Sequence, residues 1–312
     1  MSQQKDANLD SSLDEKAPPT LYFSKLTPDL ANAALNLAVD FGRRSQAPAI
    51  KAIATHPISI STIVVAVAIF GYIQLGEFYR IGGLSLIKGN LDQFVVVLIF
   101  ATGLTSFFFM MGTYFTNIIR ENADAIAKDT TPAFGLDLTR LAMINPENKK
   151  LDKESKEILA QAENTNIALY RETPIALVSI SPVTNLSDKS KFATKICGLG
   201  IRKVYQKSGI LEDLIKWALV RSNELNAGKS EQLLVLIDVL STDAETKAVL
   251  KKMKFQHITT NDVDTTDKIS NFGLNTFGVS LQVWGVALNV KSLKESDIKS
   301  LLSSKDFNKK DL

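Results

Sequence analysis

The chain has 312 residues, 45% of them hydrophobic and 22% charged, with a formal net charge of +3. A single cysteine, Cys197, excludes an intrachain disulfide framework, and with only His56 and His257 beside it there is no spacing for a Cys/His metal site. The lysines of Lys247–Lys254 have no interleaved aromatics, so they read as a solvated helix face and no nucleic acid is expected as a partner.

Residues 1–26, rich in Gln, Asp, Ser and Lys and carrying Ala17-Pro18-Pro19, are predicted to be a disordered lead. Thr27-Pro28 reads as an N-cap followed by proline at the first helical position. Leu30, Ala33, Ala34, Leu37, Ala38 and Phe41 then recur at helical spacing, and Gly42 is expected to stop the helix. The 27–56 segment is therefore an amphipathic juxtamembrane region, either lying along the membrane surface or packing on a soluble domain.

Residues 57–76 and 94–119 contain no Asp, Glu, Lys or Arg. A helix rises about 1.5 Å per residue, so about twenty apolar residues cross a 30 Å hydrocarbon core. The two stretches predict a transmembrane hairpin, with 77–93 as its lumenal loop. Arg43, Arg44 and Lys51 precede the hairpin and Arg120 and Lys128 follow it, whereas the loop holds only Arg80 and Lys88. That imbalance puts both termini in the cytosol, and the lone cysteine agrees with a cytosolic domain. The first apolar run begins near residue 57, too far in for a cleavable signal, so it reads as an uncleaved anchor.

The second of these helices places Thr102, Thr105, Ser106, Thr113 and Thr116 within roughly a 100° arc. Phe100, Phe107, Phe108 and Met111 line its other sides and suit lipid. Interhelical hydrogen bonds in a bilayer are worth about 0.6–2 kcal/mol each, so the stripe can hold a partner helix. It can equally pack against Ile69, Gly71 and Gln74 of the first span.

Residues 130–292 interleave strand and helix patterns, which makes the chain α+β: a transmembrane helical hairpin followed by a cytosolic mixed-sheet domain. Ile167–Tyr170 and Ile175–Ile180 flank a turn at Arg171–Pro174, and a strand is predicted over Thr194–Val204. A helix follows from Gly209 to Asn226, a buried strand over Gln232–Val239, a helix over Ala244–Met253, and strands over Phe255–Thr259 and Gly278–Val290. Cys197 falls in a strand pattern, where a buried thiol is inert. Trp217 and Trp284 read as core aromatics, and neither histidine has a visible catalytic partner.

This order of elements resembles the GCN5-related N-acetyltransferase fold. In that family a loop of the form Gln/Arg-x-x-Gly-x-Gly/Ala opens a helix and holds the acetyl-CoA pyrophosphate on its backbone N–H groups. The matching residues are Gln206-Lys207-Ser208-Gly209-Ile210-Leu211, with Gln206 and Gly209 fitting and Leu211 in place of the small residue. A side chain at Leu211 is expected to crowd the phosphate site. The family's tyrosine, a general acid toward the leaving thiolate, corresponds to Leu250, and its following glycine to Lys254. Leucine cannot donate a proton. The resemblance thus implies the fold without its chemistry or its cofactor. The alternative is a membrane-anchored, acetyl-CoA-dependent N-acetyltransferase, and a third reading is a tethering subunit.

Residues 293–312 form a polar tail ending Lys309-Lys310-Asp311-Leu312, the dilysine form that coat machinery reads to retrieve membrane proteins to the endoplasmic reticulum. Lead, hairpin, degenerate acetyltransferase-like domain and retrieval tail together resemble the fungal packaging chaperones of the high-affinity phosphate transporter. The resemblance implies a non-enzymatic, multi-pass protein of the endoplasmic-reticulum membrane. Its partners would be membrane lipids and a polytopic transporter client, whose folding and export it assists.

Overall fold

The computed structural model describes residues 20–79, 91–145, 152–187, 190–228 and 230–289. Its strands are β1 (Leu21–Lys25), β2 (Thr165–Tyr170), β3 (Thr173–Pro182), β4 (Lys191–Ile201), β5 (Gln232–Leu240), β6 (Gln256–Asn261) and β7 (Leu281–Asn289). They form one mixed sheet in the order β1-β2-β3-β4-β5-β7-β6, in which only the β4–β5 pair is parallel. Its centre is buried on both faces, and the apolar run Leu233–Ile237 of β5 meets that demand.

The helices are α1 (Ala31–Arg44), α2 (Gln46–Ala54), α3 (Pro57–Tyr79), α4 (Leu91–Lys128), α5 (Thr131–Phe134), α6 (Leu138–Met143), α7 (Lys153–Ala162), α8 (Ile210–Asn226), α9 (Ala244–Lys252) and α10 (Lys268–Thr276). On one side of the sheet, Ile210, Leu211, Leu214, Ile215 and Ala218 of α8 and Leu250 of α9 pack on Val178, Ile196, Val235 and Trp284. On the other, α1 and α5–α7 cover Ile167, Leu169 and Leu177. A third core joins α2, α4 and α10 through Ile53, Ile119, Leu274 and Phe277. Fully burying a Leu or Ile is worth about 1.5–3 kcal/mol, so each of these stripes outweighs the weak intrinsic preference of its helix.

Four features depart from the sequence reading. Leu21–Lys25, expected within the disordered lead 1–26, is edge strand β1, in register from Leu21↔Tyr170 to Lys25↔Asn166. Five polar-flanked residues whose partner lies so far along the chain carry no local signal. The domain is consequently built from chain on both sides of the hairpin, not from 130–292 alone. Second, the 27–56 segment is two helices, α1 plus α2, and of its two expected placements α1 takes the one on the domain, burying Ala31, Ala34, Leu37 and Ala38 against the sheet.

Third, Gly42 does not stop α1. A Cβ there would lie 2.7 Å from the Ala123 Cβ, so the missing side chain lets α1 and α4 touch. Fourth, α4 is one continuous helix to Lys128, well past the expected end at 119, and α3 runs to Tyr79. Beyond 119 its polar residues Arg120, Glu121 and Asn122 face out, while Ile119, Ala123 and Ile126 pack inward. Strand limits also shift: β4 starts at Lys191, β6 covers Gln256–Asn261 and β7 covers Leu281–Asn289.

Two helices, α3 and α4, are long and apolar enough to cross a membrane. They pair through Phe70 and Phe100, whose rings stack at 4.3 Å. Most of the expected loop 77–93 and all of the tail 293–312, including Lys309 and Lys310, lie outside the described residues.

Candidate functional site

The hydroxyl stripe of α4 divides in two. Val97, Phe100, Ala101 and Leu104 are partly covered, marking the side that meets α3, whereas Thr102, Thr105, Ser106 and Thr113 are exposed. At 100° per residue, Thr102, Ser106 and Thr113 point about 160–180° from Leu104. The stripe therefore turns away from α3 instead of packing against Ile69, Gly71 and Gln74. Each hydroxyl donates to the carbonyl one turn back: Thr102 to Leu98 at 2.8 Å, Thr105 to Ala101 at 2.8 Å, Ser106 to Thr102 at 2.9 Å and Thr113 to Phe109 at 2.9 Å. The donors are satisfied inside the helix, and the oxygen lone pairs stay free to accept from another chain.

Thr116 does not belong to that outward set. It is fully buried and accepts from the Gln46 side-chain amide at 3.3 Å while donating to Gly112 at 2.7 Å. It is part of a junction that fixes the sheet domain to the hairpin. Ile50 and Ile53 of α2 sit over Gly112, α1 touches α4 at Gly42 and Ala123, and Arg43 Nε meets Asp124 Oδ1 at 2.5 Å.

At the β4–α8 turn, Gly209 has φ +85° and opens α8 without a side-chain cap. Space does not demand glycine there, since a Cβ would meet nothing within 4 Å; the left-handed backbone does. Leu211 points into the core at 2% exposure, so the expectation that it crowds the turn is corrected. The positive end of α8 already has Glu212 and Asp213 in its first turn, each with its own lysine: Lys252 at 2.7 Å and Lys216 at 3.3 Å.

Parallel pairing of β4 with β5 ends at Ile196↔Ile237, and Cys197 is the extra residue of a bulge, since Ile180 pairs with Ile196 and Ser179 with Gly198. Across the fork Lys195 Nζ meets Asp238 Oδ2 at 2.6 Å. Burial pushes the Cys197 thiol up, with Lys195 opposing, which keeps it protonated and unreactive. Leu250, at the tyrosine position, is fully buried, and Lys254 holds φ +63°, a conformation that favours glycine.

His257 Nε2 lies 2.9 Å from the Thr260 hydroxyl and its ring meets Trp284 edge-on at 5.8 Å, a partnership the sequence did not reveal. His56 meets Phe277 edge-on at 5.5 Å. Among the described residues no group of His, Cys, Asp and Glu could hold a metal ion. Sequence reading also missed α10, although Asp267 capping Ile269 and Ser270 is the signal that could have found it.

No curated protein matches the chain. Solved structures similar to it include acetyltransferases, and the three that follow are all at low identity and low TM-score. Naa50 of Arabidopsis thaliana, in complex with a bisubstrate analogue, is 16% identical with a TM-score of 0.33, over 51% of this chain and 93% of that one. Arabidopsis thaliana NAA60 with a bisubstrate analogue is 18% identical, TM-score 0.32, over 49% and 92%. A GNAT-family acetyltransferase from Streptococcus pneumoniae is 13% identical, TM-score 0.32, over 51% and 95%. The family model described as inorganic phosphate transporter chaperone Pho86 matches residues 3–288, from the lead through β7. The chain belongs to that family of inorganic phosphate transporter chaperones.

Proposed function

We propose that this chaperone works in the endoplasmic-reticulum membrane, where α3 and α4 span the bilayer and the outward stripe of α4 receives helices of an inorganic phosphate transporter before export. The observation that carries this is the exposure of Thr102, Ser106 and Thr113 on the side of α4 opposite α3, with exposed Thr105 at the flank of that face. Four hydroxyls on a face surrounded by Phe, Leu and Met offer acceptors that lipid cannot use and a client helix can. Strand β1 precedes the hairpin and β2 follows it, in one sheet, which supports an even number of crossings with both flanking segments on one side, and the excess of Arg and Lys beside them favours the cytosol as that side.

A photo-crosslinking residue in place of Thr102 or Ser106 should capture the phosphate transporter in microsomes, and one in place of Val97 or Leu104 should not. Adducts at all four positions alike, or at none, would sink this reading of the stripe. Lys309→Ser with Lys310→Ser should let the protein leak onward from the endoplasmic reticulum; unchanged localisation would remove the coat-read dilysine signal.

The same proposal has no enzymatic step. With Glu212 and Asp213 complementing the start of α8 and Leu250 in place of a proton donor, the turn at Gln206–Gly209 suits neither the acetyl-CoA pyrophosphate nor transfer chemistry. Calorimetric titration of the full chain with acetyl-CoA should give no binding. Micromolar binding abolished by Gly209→Glu would restore the acetyltransferase alternative. The full chain is needed because β1 and α1 belong to the domain.

A further inference from the structure

We infer that α10 is a membrane-surface helix, with Ile269 and Phe272 set into the headgroup layer of the leaflet that α3 and α4 enter. The inference rests on the membrane-spanning reading of that pair. Three contacts fix the height of α10 beside the anchor. The Tyr114 hydroxyl donates to Asp267 Oδ2 at 3.3 Å. The Phe115 ring lies over Gly273, where an added Cβ would come within 2.6 Å of it. The Phe277 ring meets both His56, one residue before α3, at 5.5 Å and Phe115 at 6.3 Å.

That height matches the edge of the bilayer. Going down α4, Phe108 is the first buried residue, and above it the helix is exposed or only partly covered. Tyr114 is six residues further, about 9 Å along the axis. The headgroup region adds roughly 5–8 Å on each side of the hydrocarbon, and a helix with side chains is about 10 Å across. A helix held at this level sits within that layer.

Its faces fit the same place. Ser270, Gly273, Leu274 and Phe277 are buried against the domain and α4. Lys268, Asn271 and Asn275 fall on the opposite side by helical spacing. Between the two faces, Ile269 is 62% and Phe272 74% exposed. On α4, Met110 is 64% and Tyr114 54% exposed, and Tyr114 is the residue bonded to Asp267 at the start of α10. Interfacial helices set such a face about 5–10 Å into the boundary between headgroups and acyl chains, with their polar side in water. The sheet domain would thereby hold the membrane at a second point and lose its freedom to tilt about α4.

The test uses the full chain in phosphatidylcholine vesicles, in a Cys197→Ala background, with an environment-sensitive fluorophore on a single cysteine replacing Met110, Phe272 or Asn275. Brominated lipid should quench the labels at 110 and 272 and leave the one at 275 bright. Quenching at 110 without quenching at 272 would overturn the inference and leave the span standing. No quenching at 110 would overturn the span as well. Protection of the label at 272 only when a phosphate transporter is reconstituted would assign this face to the client and also overturn the inference.

Discussion

The two halves of α4 carry similar side chains in opposite surroundings. From Leu91 to Phe107 the helix shows Leu98 and Ile99 at 66% and 65% exposure, while from Phe108 downward Phe108 is buried, as are Ile119 and Ala123, which pack against α2, α10 and α1. Threonine makes the contrast sharpest. Thr102 faces out, satisfied by its own helix, whereas Thr116 is sealed in with Gln46. Below the boundary, water drives apolar surface together. Above it, on the proposed membrane-spanning reading, lipid tails as apolar as leucine would give no such push, so helix contact there would depend on shape and polar groups. The lower half is thus largely committed to its own chain, and the upper half would be left open to another.

The largest test of that division uses glycines. Gly42→Leu puts a side chain where a Cβ alone would lie 2.7 Å from Ala123, and should cost about 1–3 kcal/mol of domain stability by overpacking. Gly103 has nothing within 4 Å of an added Cβ, so Gly103→Leu should leave the unfolding midpoint of the domain unchanged. Equal effects would erase the distinction between the halves.

Next in size is the threonine pair. Thr116→Val removes the acceptor for Gln46 and should cost about 1 kcal/mol. Thr102→Val should leave unfolding unchanged and reduce capture of the transporter.

A smaller effect is expected from acid. The Asp267 carboxyl is held below the usual carboxylate range, chiefly by the Ser270 hydroxyl and then by the Ile269 backbone N–H. A depressed folded value means that its contribution is complete above the unfolded value of about 4 and is lost as pH falls through the folded one. Protection of the α10 amides against hydrogen exchange, corrected for the intrinsic rate, should fall on acidification below that range, and Asp267→Ala should remove the step. The upper half of α4 should show no such response.

The smallest effect is the Arg43–Asp124 pair, with side chains 46% and 39% exposed. A double-mutant cycle should return about 0.2–1 kcal/mol, shrinking with added salt.

How much of this could be read in the sequence depended on whether the signal was local. The two charge-free stretches declared themselves as long apolar helices because twenty or more residues without a charge form an unbroken local signal. Helix α8 and strand β5 did so because their apolar spacing is dense and regular. Strand β1 was invisible, since Leu21–Lys25 becomes a strand only through its pairing with β2. The lower half of α4 was cut short because Arg120-Glu121-Asn122 looked like an exit, although every third or fourth residue still packed.

At the turn, the motif identified the glycine at 209 but misread Leu211. A sequence spacing does not say whether a side chain in the first turn of a helix faces the loop or the core. For the stripe, spacing gave the arc of hydroxyls, and only the position of α3 decided that Thr102, Ser106 and Thr113 face away from the hairpin.

Strand β1 leaves the ribosome long before its partner exists. Leu21 pairs with Tyr170, about 150 positions later, and at 5–20 residues per second that interval is about 7–30 s. Throughout it Leu26, Ala34 and Leu37 have no sheet to cover. Both long apolar helices are made within the same interval, and on the proposed membrane-spanning reading a single failed crossing would strand β1 and β2 on opposite sides of the bilayer. On that reading closure of the sheet would act as a late checkpoint, since a mis-inserted copy would keep its apolar surface open and a correctly threaded one would not.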